Sequence, residues 1–152
     1  MVKQSEKLGV FGHGSTYGGH PVAAAVAIEA LKIYEERNIV GHVRKVGPRL
    51  QNGLRKLLDH PLVGDVRGVG LIAAVELVKN KKTKEPFEPK DGVGVYLMGR
   101  ARAHGLISRA IGDSFAFAPP LVITESEIDE MLGAFSRAVD ETHTWAKERG
   151  LA

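Results

Sequence analysis

No cysteine occurs among the 152 residues. Disulfides and thiolate metal sites are therefore excluded, and the composition suits a reducing compartment, with the cytoplasm as the expectation. No long apolar run is present either. The hydrophobic stretches are short and broken by charge, so neither a membrane span nor a signal peptide is expected. Charge of one sign is not in excess: 21 Lys and Arg face 18 Asp and Glu, a net of +3. The acidic residues are spread among the basic ones, which argues against a dedicated nucleic-acid surface. Internal repeats and low-complexity segments are also absent.

What remains is an ordinary globular composition, 43% hydrophobic and 26% charged, long enough for a real core. VAAAVAIEALKIYEER follows Pro21 and reads as a helix over 22–37. Proline suits the first helical position, and Val22, Val26, Ala30 and Ile33 make an apolar stripe. Asn38 is placed to cap a second helix, in which Ile39, Val43, Val46, Leu50, Leu54, Leu57 and Leu58 recur at helical spacing until His60-Pro61. Leu62 to Val78 reads as two strands separated near Gly68. KNKKTKEPFEP reads as a solvated loop. Asp91 to His104 reads as a helix with Val95, Met98 and Ala101 inward. Leu106 to Pro119 reads as a hairpin of GLISRA and FAFAP, with Asp113 in its turn.

The last helix carries the clearest start signal, a Thr124/Glu127 capping box. Ile128, Met131, Leu132, Phe135, Val139 and Thr142 then share one side. Strands and helices come in blocks, which predicts an α+β fold: a small, mainly antiparallel sheet with helices packed on one face.

FGHGSTYGGHP, Phe11 to Pro21, holds four glycines, two histidines and three hydroxyl residues. Glycines let backbone N–H groups converge on a ligand, hydroxyls add donors, and a helix N-terminus favours an anion. The loop is either a phosphate contact, with Ser15 and Thr16 as donors, or a glycine-rich connector. It is neither a Walker A loop nor a GxGxxG turn. His13 and His20 have no carboxylate or thiolate neighbour, so no metal site is expected. Asp65 and Arg67 either pair locally or face solvent, and Trp145 packs on the sheet or on a partner subunit. From the residues alone, Arg109 is a surface arginine on an edge strand.

FGHGSTYGGHPVAAAVAIEAL resembles the phosphate-loop motif of class III aminotransferases, the pyridoxal-phosphate enzymes of fold type I that act on ω-amino acids and amines. VGDVRGVGLIAAVELV is similar to that family's small-domain strand. GLISRAIGDSFAFAPPLVITESEIDEM resembles its C-terminal hairpin and capped helix, and ERGLA a common ending. The likeness runs over nearly the whole chain. It implies that residues 1–21 are a phosphate-loop segment belonging with a large domain outside this chain. Residues 22–152 are then the C-terminal small domain, with 22–37 as an interdomain helix.

By the same resemblance, Thr16 matches the threonine whose backbone amide and hydroxyl hold the cofactor phosphate of the neighbouring subunit in a homodimer. Ser15 and Tyr17 flank it as cofactor-binding residues. Arg109 matches the mobile arginine that pairs with a substrate carboxylate and swings aside for uncharged amines. A guanidinium offers two parallel donors matched to a carboxylate, which lysine does not.

The chemistry also requires a lysine to form the Schiff base with the cofactor and an acid at its ring nitrogen. The family carries both upstream of the phosphate-loop threonine. Lys3 and Lys7 lie at the terminus, Lys32, Lys45 and Lys56 on exposed helix faces, and Lys79, Lys81, Lys82 and Lys84 in the loop. No catalytic residue is therefore expected here. The resemblance implies a C-terminal piece of an enzyme moving an amino group from an ω-amino acid or amine to pyruvate or a similar keto acid. The isolated chain is expected to be inactive and without bound pyridoxal 5'-phosphate. The alternative is a dimerisation module or a decayed homologue. The apolar stripe of helix 22–37 is expected to favour self-association.

Overall fold

The structure, a computed structural model, describes residues 6, 7, 9 and 14–152. Lys3, Phe11, Gly12 and His13 lie outside the described residues. The chain divides into two compact units, Met1–Asn38 and Ile39–Ala152.

The first unit contains helix α1, Pro21–Glu36. Pro21 stands in its first turn, as a residue with no N–H to satisfy should. The sequence is apolar nearly all round for its first turns, yet none of its residues is buried. Val22, Val26 and Leu31 are each more than 60% exposed. A helix of this composition is normally covered on several sides. Asn38 takes a left-handed φ of 47°, and its N–H reaches back to the Glu35 carbonyl at 3.0 Å. It thus ends α1 in a left-handed turn.

The second unit is built on one four-stranded antiparallel sheet. Its strands are β1 (Val63–Val69), β2 (Ile72–Leu77), β3 (Arg109–Ile111) and β4 (Ser114–Phe117). They lie in the order β1-β2-β4-β3. Alternation sorts the faces: Ala73, Val75 and Leu77 of β2, with Phe115 and Phe117 of β4, are buried. Three helices cover that face: α2 (Ile39–Arg55), α3 (Val93–Ala103) and α4 (Glu125–Glu148). The α+β architecture with helices on one side of the sheet is therefore present.

Phe115, Phe117 and Phe135 form the centre of the core, with ring centroids 4.8 to 5.2 Å apart. Leu50 and Leu54 of α2, Leu97 and Ala101 of α3, and Ile128 and Val139 of α4 close around them. On α3, Val93, Leu97 and Ala101 are buried, and Met98 packs against the core, so Ala101 and Met98 lie inward as expected. Val95, expected inside, is 67% exposed. The helix starts at Val93, and its Gly94 N–H is bonded to Asp113 of the β3–β4 turn, so packing sets this side of α3 toward the sheet.

The β1–β2 hairpin turns at Gly70, with φ of 58°, two residues beyond the expected break at Gly68. Gln51 of α2 clamps this turn, its Nε2 donating to the Gly70 and Ile72 carbonyls at 3.0 and 3.2 Å. A Cβ on Gly47 would stand 3.0 Å from Gly70; the glycine allows helix and turn to approach that closely. Only the last two residues of GLISRA join the sheet, in the strand Arg109–Ile111.

Trp145 lies against α3 rather than on the sheet. It stacks on Tyr96 of α3, centroids 4.2 Å apart and nearly parallel, with the Arg149 guanidinium 4.8 Å from its own ring centroid. The lysine-rich loop is also less free than its composition suggests. Lys81 Nζ donates to the Leu58 and His60 carbonyls, and Lys84 Nζ to that of Gly64.

Helix α4 begins where the capping box placed it. The Glu127 N–H donates to Thr124 Oγ1 at 3.3 Å, and the Thr124 N–H to Glu127 Oε2 at 2.8 Å. That backbone bond holds the Glu127 carboxyl below its usual range. Replacing Thr124 by alanine is expected to lower unfolding stability by about 1 kcal/mol, measured by urea denaturation near neutral pH. Because the native carboxyl is the stronger acid, the box contributes fully above the ordinary glutamate range. Its contribution fades as pH falls through the native value.

Candidate functional site

The two groups of sequence-predicted residues fall in different units, and each is described in its own frame. Ser15, Thr16 and Tyr17 lie on the turn that leads into α1. The turn closes through two backbone bonds, from the Gly18 N–H to the Ser15 carbonyl at 3.1 Å and from the His20 N–H to the Tyr17 carbonyl at 3.2 Å. Gly19 takes φ of 76°, a conformation open to glycine and costly for a side chain. All three site residues are exposed, and Tyr17 lies 6.4 Å from His20, ring to ring.

Two features of this turn fit the phosphate end of a cofactor. The residue before α1, His20, makes no side-chain cap bond, and the first helical turn carries no acidic residue. The helix N-terminus thus keeps its positive end unopposed. Ser15 and Thr16 place two hydroxyl groups immediately before it. Nothing in the described residues fits the carbonyl end of a pyridoxal group equally well. Among the described residues no lysine is buried, and Lys81, half-buried, spends its ammonium on backbone carbonyls.

Arg109 opens β3 at the edge of the sheet. Its register partner on β4 is Ala116, whose partner on β2 is Ala74, whose partner on β1 is Arg67. Cross-strand partners share a face, so these four residues form one row across the helix-free side of the sheet. The next row along that face runs Ile111, Ser114, Glu76, Asp65.

The two arginines at the ends of the first row differ. Arg67 Nη1 donates to Asp65 Oδ2 at 2.9 Å and to Glu76 Oε2 at 2.5 Å, and Nη2 approaches Ser114 Oγ at 3.4 Å. It is fixed in place across β1, β2 and β4. Arg109 is exposed, and no hydrogen bond or ion pair holds its guanidinium among the described residues. Two alanines lie beside it in its row. The sheet therefore offers one immobilised cation and one free to take up an anion.

Asp113 occupies the β3–β4 turn, as expected, but its side chain does not serve Arg109. Its Oδ1 accepts the Gly94 N–H at 3.1 Å, which ties the turn to the first turn of α3. Burial pushes the carboxyl above its usual range, and the bonds from the Gly94 and Phe87 backbones oppose that shift. The Arg67–Asp65–Glu76–Ser114 network had only a partial signal in the sequence. Burial alternates along Ile72–Leu77 and Ser114–Phe117, but the pairing of strands far apart in sequence sets which side chains meet.

No group of three or more histidine or acidic side chains able to hold a metal ion occurs among the described residues. No helix among them is long and apolar enough to cross a membrane.

Comparison with known proteins adds the family. The model of Aminotransferase class-III matches residues 2–139. Gamma aminobutyrate transaminase 2 of Solanum lycopersicum is 45% identical over 97% of this chain and 32% of its own length. The probable mitochondrial gamma-aminobutyrate transaminase 3 of Oryza sativa subsp. indica is 46% identical over 93% of the chain and 28% of its own. Among solved structures, the omega transaminase from Pseudomonas jessenii in complex with PMP is 50% identical, with a TM-score of 0.80. It is covered over 32% of its length by 95% of this chain. The chain thus spans about a third of the length of the relatives it matches.

Proposed function

Because the chain belongs to the class-III aminotransferases, we propose that it is the C-terminal part of an enzyme moving an amino group from an ω-amino acid or amine to pyruvate or a similar keto acid. The observation that carries this reading is Arg109, unpaired on the helix-free face of the sheet beside two alanines. A carboxylate-bearing substrate meets there a planar donor fork that no internal acid neutralises.

Pyridoxal 5'-phosphate, when bound, supplies the carbonyl that captures the amine and the ring that draws off its electrons. The chain's own residues have narrower tasks. Thr16 and Ser15 donate to the phosphate, assisted by the N-terminus of α1, and Tyr17 borders it. In the proposed homodimer Thr16 serves the neighbouring subunit's cofactor. Arg109 holds the substrate carboxylate and thereby orients the amine. The lysine and the ring-nitrogen acid belong to the remaining two thirds of the enzyme, so this chain alone is inactive. Residues 1–21 then go with the large domain, 22–37 form the interdomain helix, and the rest is the small domain. The absence of cysteine supports a cytoplasmic setting, although several relatives are named as mitochondrial or chloroplastic.

A chimaera tests the reading. This chain replaces the corresponding third of the tomato transaminase, and amino transfer from ω-amino acids is assayed with the unmodified tomato enzyme as reference. Transfer is expected, together with at least about tenfold weaker cofactor retention in Thr16→Ala, the loss of one charge-assisted hydrogen bond. A folded, dimeric chimaera without transfer would point instead to a non-catalytic dimerisation module.

A further inference from the structure

His60 stands where four parts of the second unit meet. It caps the short 3₁₀ helix Lys56–Asp59 and, with Pro61, leads into β1. Its carbonyl accepts the Val63 N–H and Lys81 Nζ, each at 3.1 Å. Its ring Nδ1 accepts the Leu62 N–H at 3.2 Å, and its Nε2 faces Asp140 Oδ1 of α4 at 3.4 Å. His143, one turn further along α4, meets the ring edge-on with centroids 5.0 Å apart.

This arrangement dictates where protons go. A neutral imidazole has one N–H and one lone pair. The lone pair on Nδ1 is committed to Leu62, so the proton sits on Nε2 toward Asp140. A second proton has only Nδ1 to occupy, and there it displaces the Leu62 N–H. Leu62 is buried, at 1% exposure, and its carbonyl holds the Val78 N–H at 2.9 Å. The bond at risk therefore lies where β1 enters the sheet.

We infer that His60, with Asp140 and His143 beside it, forms a pH-sensitive latch that holds the His60–Pro61–Leu62 strap at the start of β1 at neutral pH and loosens that strap in mild acid. The surrounding charges all bear on it. Asp140 faces both rings and favours their charged forms, but it is itself largely exposed. Lys81 opposes a charge on His60 from the loop after β2, and Lys147 opposes one on His143 from the next turn of α4. Burial is the largest influence on both rings and holds both below the ordinary histidine range. The sign follows. Below the ordinary value of about 6.5 the unfolded chain binds more protons than the folded one. The latch therefore contributes fully above that value and is lost as pH falls toward the native ones. The inference stands apart from the aminotransferase reading, since none of these residues belongs to the proposed site.

The test uses the 152-residue chain itself. Amide hydrogen exchange at Leu62, corrected for intrinsic rates, is compared at pH 7.0 and 5.5 in the parent and in the His60→Asn/His143→Asn double variant. The asparagine at position 60 keeps an acceptor near the place of Nδ1 but does not titrate. A loss of protection of at least about tenfold is expected in the parent, the effect of removing one hydrogen bond from the Leu62 N–H. Less than about twofold is expected in the double variant, which removes the titrating groups. Unchanged protection in the parent, or an equal loss in the variant, overturns the latch. Should the variant not fold, ring titration of the parent by NMR decides. Midpoints below about 6.5 with the Leu62 amide shift tracking His60 support the latch, and ordinary midpoints reject it.

Discussion

In the chimaera, replacing Arg109 by alanine is expected to lower kcat/KM for an ω-amino acid by about 30- to 1,000-fold. That range corresponds to about 2–4 kcal/mol, the usual cost of truncating one side of a desolvated charge pair. For an uncharged amine of similar length the change is expected to stay within about threefold, because no carboxylate loses its partner. Arg109→Lys is expected to fall between the two, keeping the charge but losing the two-pronged geometry. The structural basis is the isolation of this guanidinium. Arg67, at the other end of the same row, is held by Asp65 and Glu76 and has little left to offer a ligand. Equal losses for acid and amine substrates would remove Arg109 from carboxylate recognition.

A second large effect is expected at Gly94. A Cβ there would lie 2.0 Å from the Gly112 carbonyl oxygen and 3.0 Å from the Gly112 carbonyl carbon. Those are backbone atoms of the hairpin turn, so a side-chain rotation does not relieve the clash. Gly94→Ala must push α3 away from the β3–β4 turn, and this also strains the bond from the Gly94 N–H to Asp113. Overpacking and a disrupted buried hydrogen bond together amount to about 2–5 kcal/mol. Gly99 provides the control on the same helix. Nothing lies within 4 Å of a Cβ built there, so Gly99→Ala is expected to stabilise by up to about 1 kcal/mol through helix propensity. Chemical denaturation of both variants checks the pair. A Gly94→Ala chain as stable as the parent would mean that α3 does not bear on the turn as closely as described. The same hairpin carries Arg109, so the variant is also expected to weaken carboxylate discrimination in the chimaera.

The outcome at particular residues shows what sequence patterns carry. The Thr124/Glu127 box is a local device: donor, acceptor and spacing all lie within four residues, and α4 starts where they place it. The division of Leu62 to Val78 into two strands was likewise legible, because β-branched enrichment and a glycine break are local signals. Val95 behaved differently. Which stripe of α3 faces the core depends on its packing against the rest of the unit, and the Asp113 bond to Gly94 is part of what sets it. Trp145 was undecidable for the same kind of reason, because its partner, Tyr96, lies about fifty positions away. His60 gave a stop signal and no more, since Asp140 and His143 become its neighbours only when α4 packs against the entry to β1.

The sequence by itself determined the fold class, the elements and the family, because those depend on spacing, capping and short motifs that act over a few residues. It also named Ser15, Thr16, Tyr17 and Arg109 as the residues to watch. Only the tertiary structure decided that Arg109 is free while Arg67 is bound, and that both stand in one row on the open face of the sheet. Cross-strand register between β1, β2, β4 and β3 settles that contrast, and register joins residues more than forty positions apart, where no local pattern reaches.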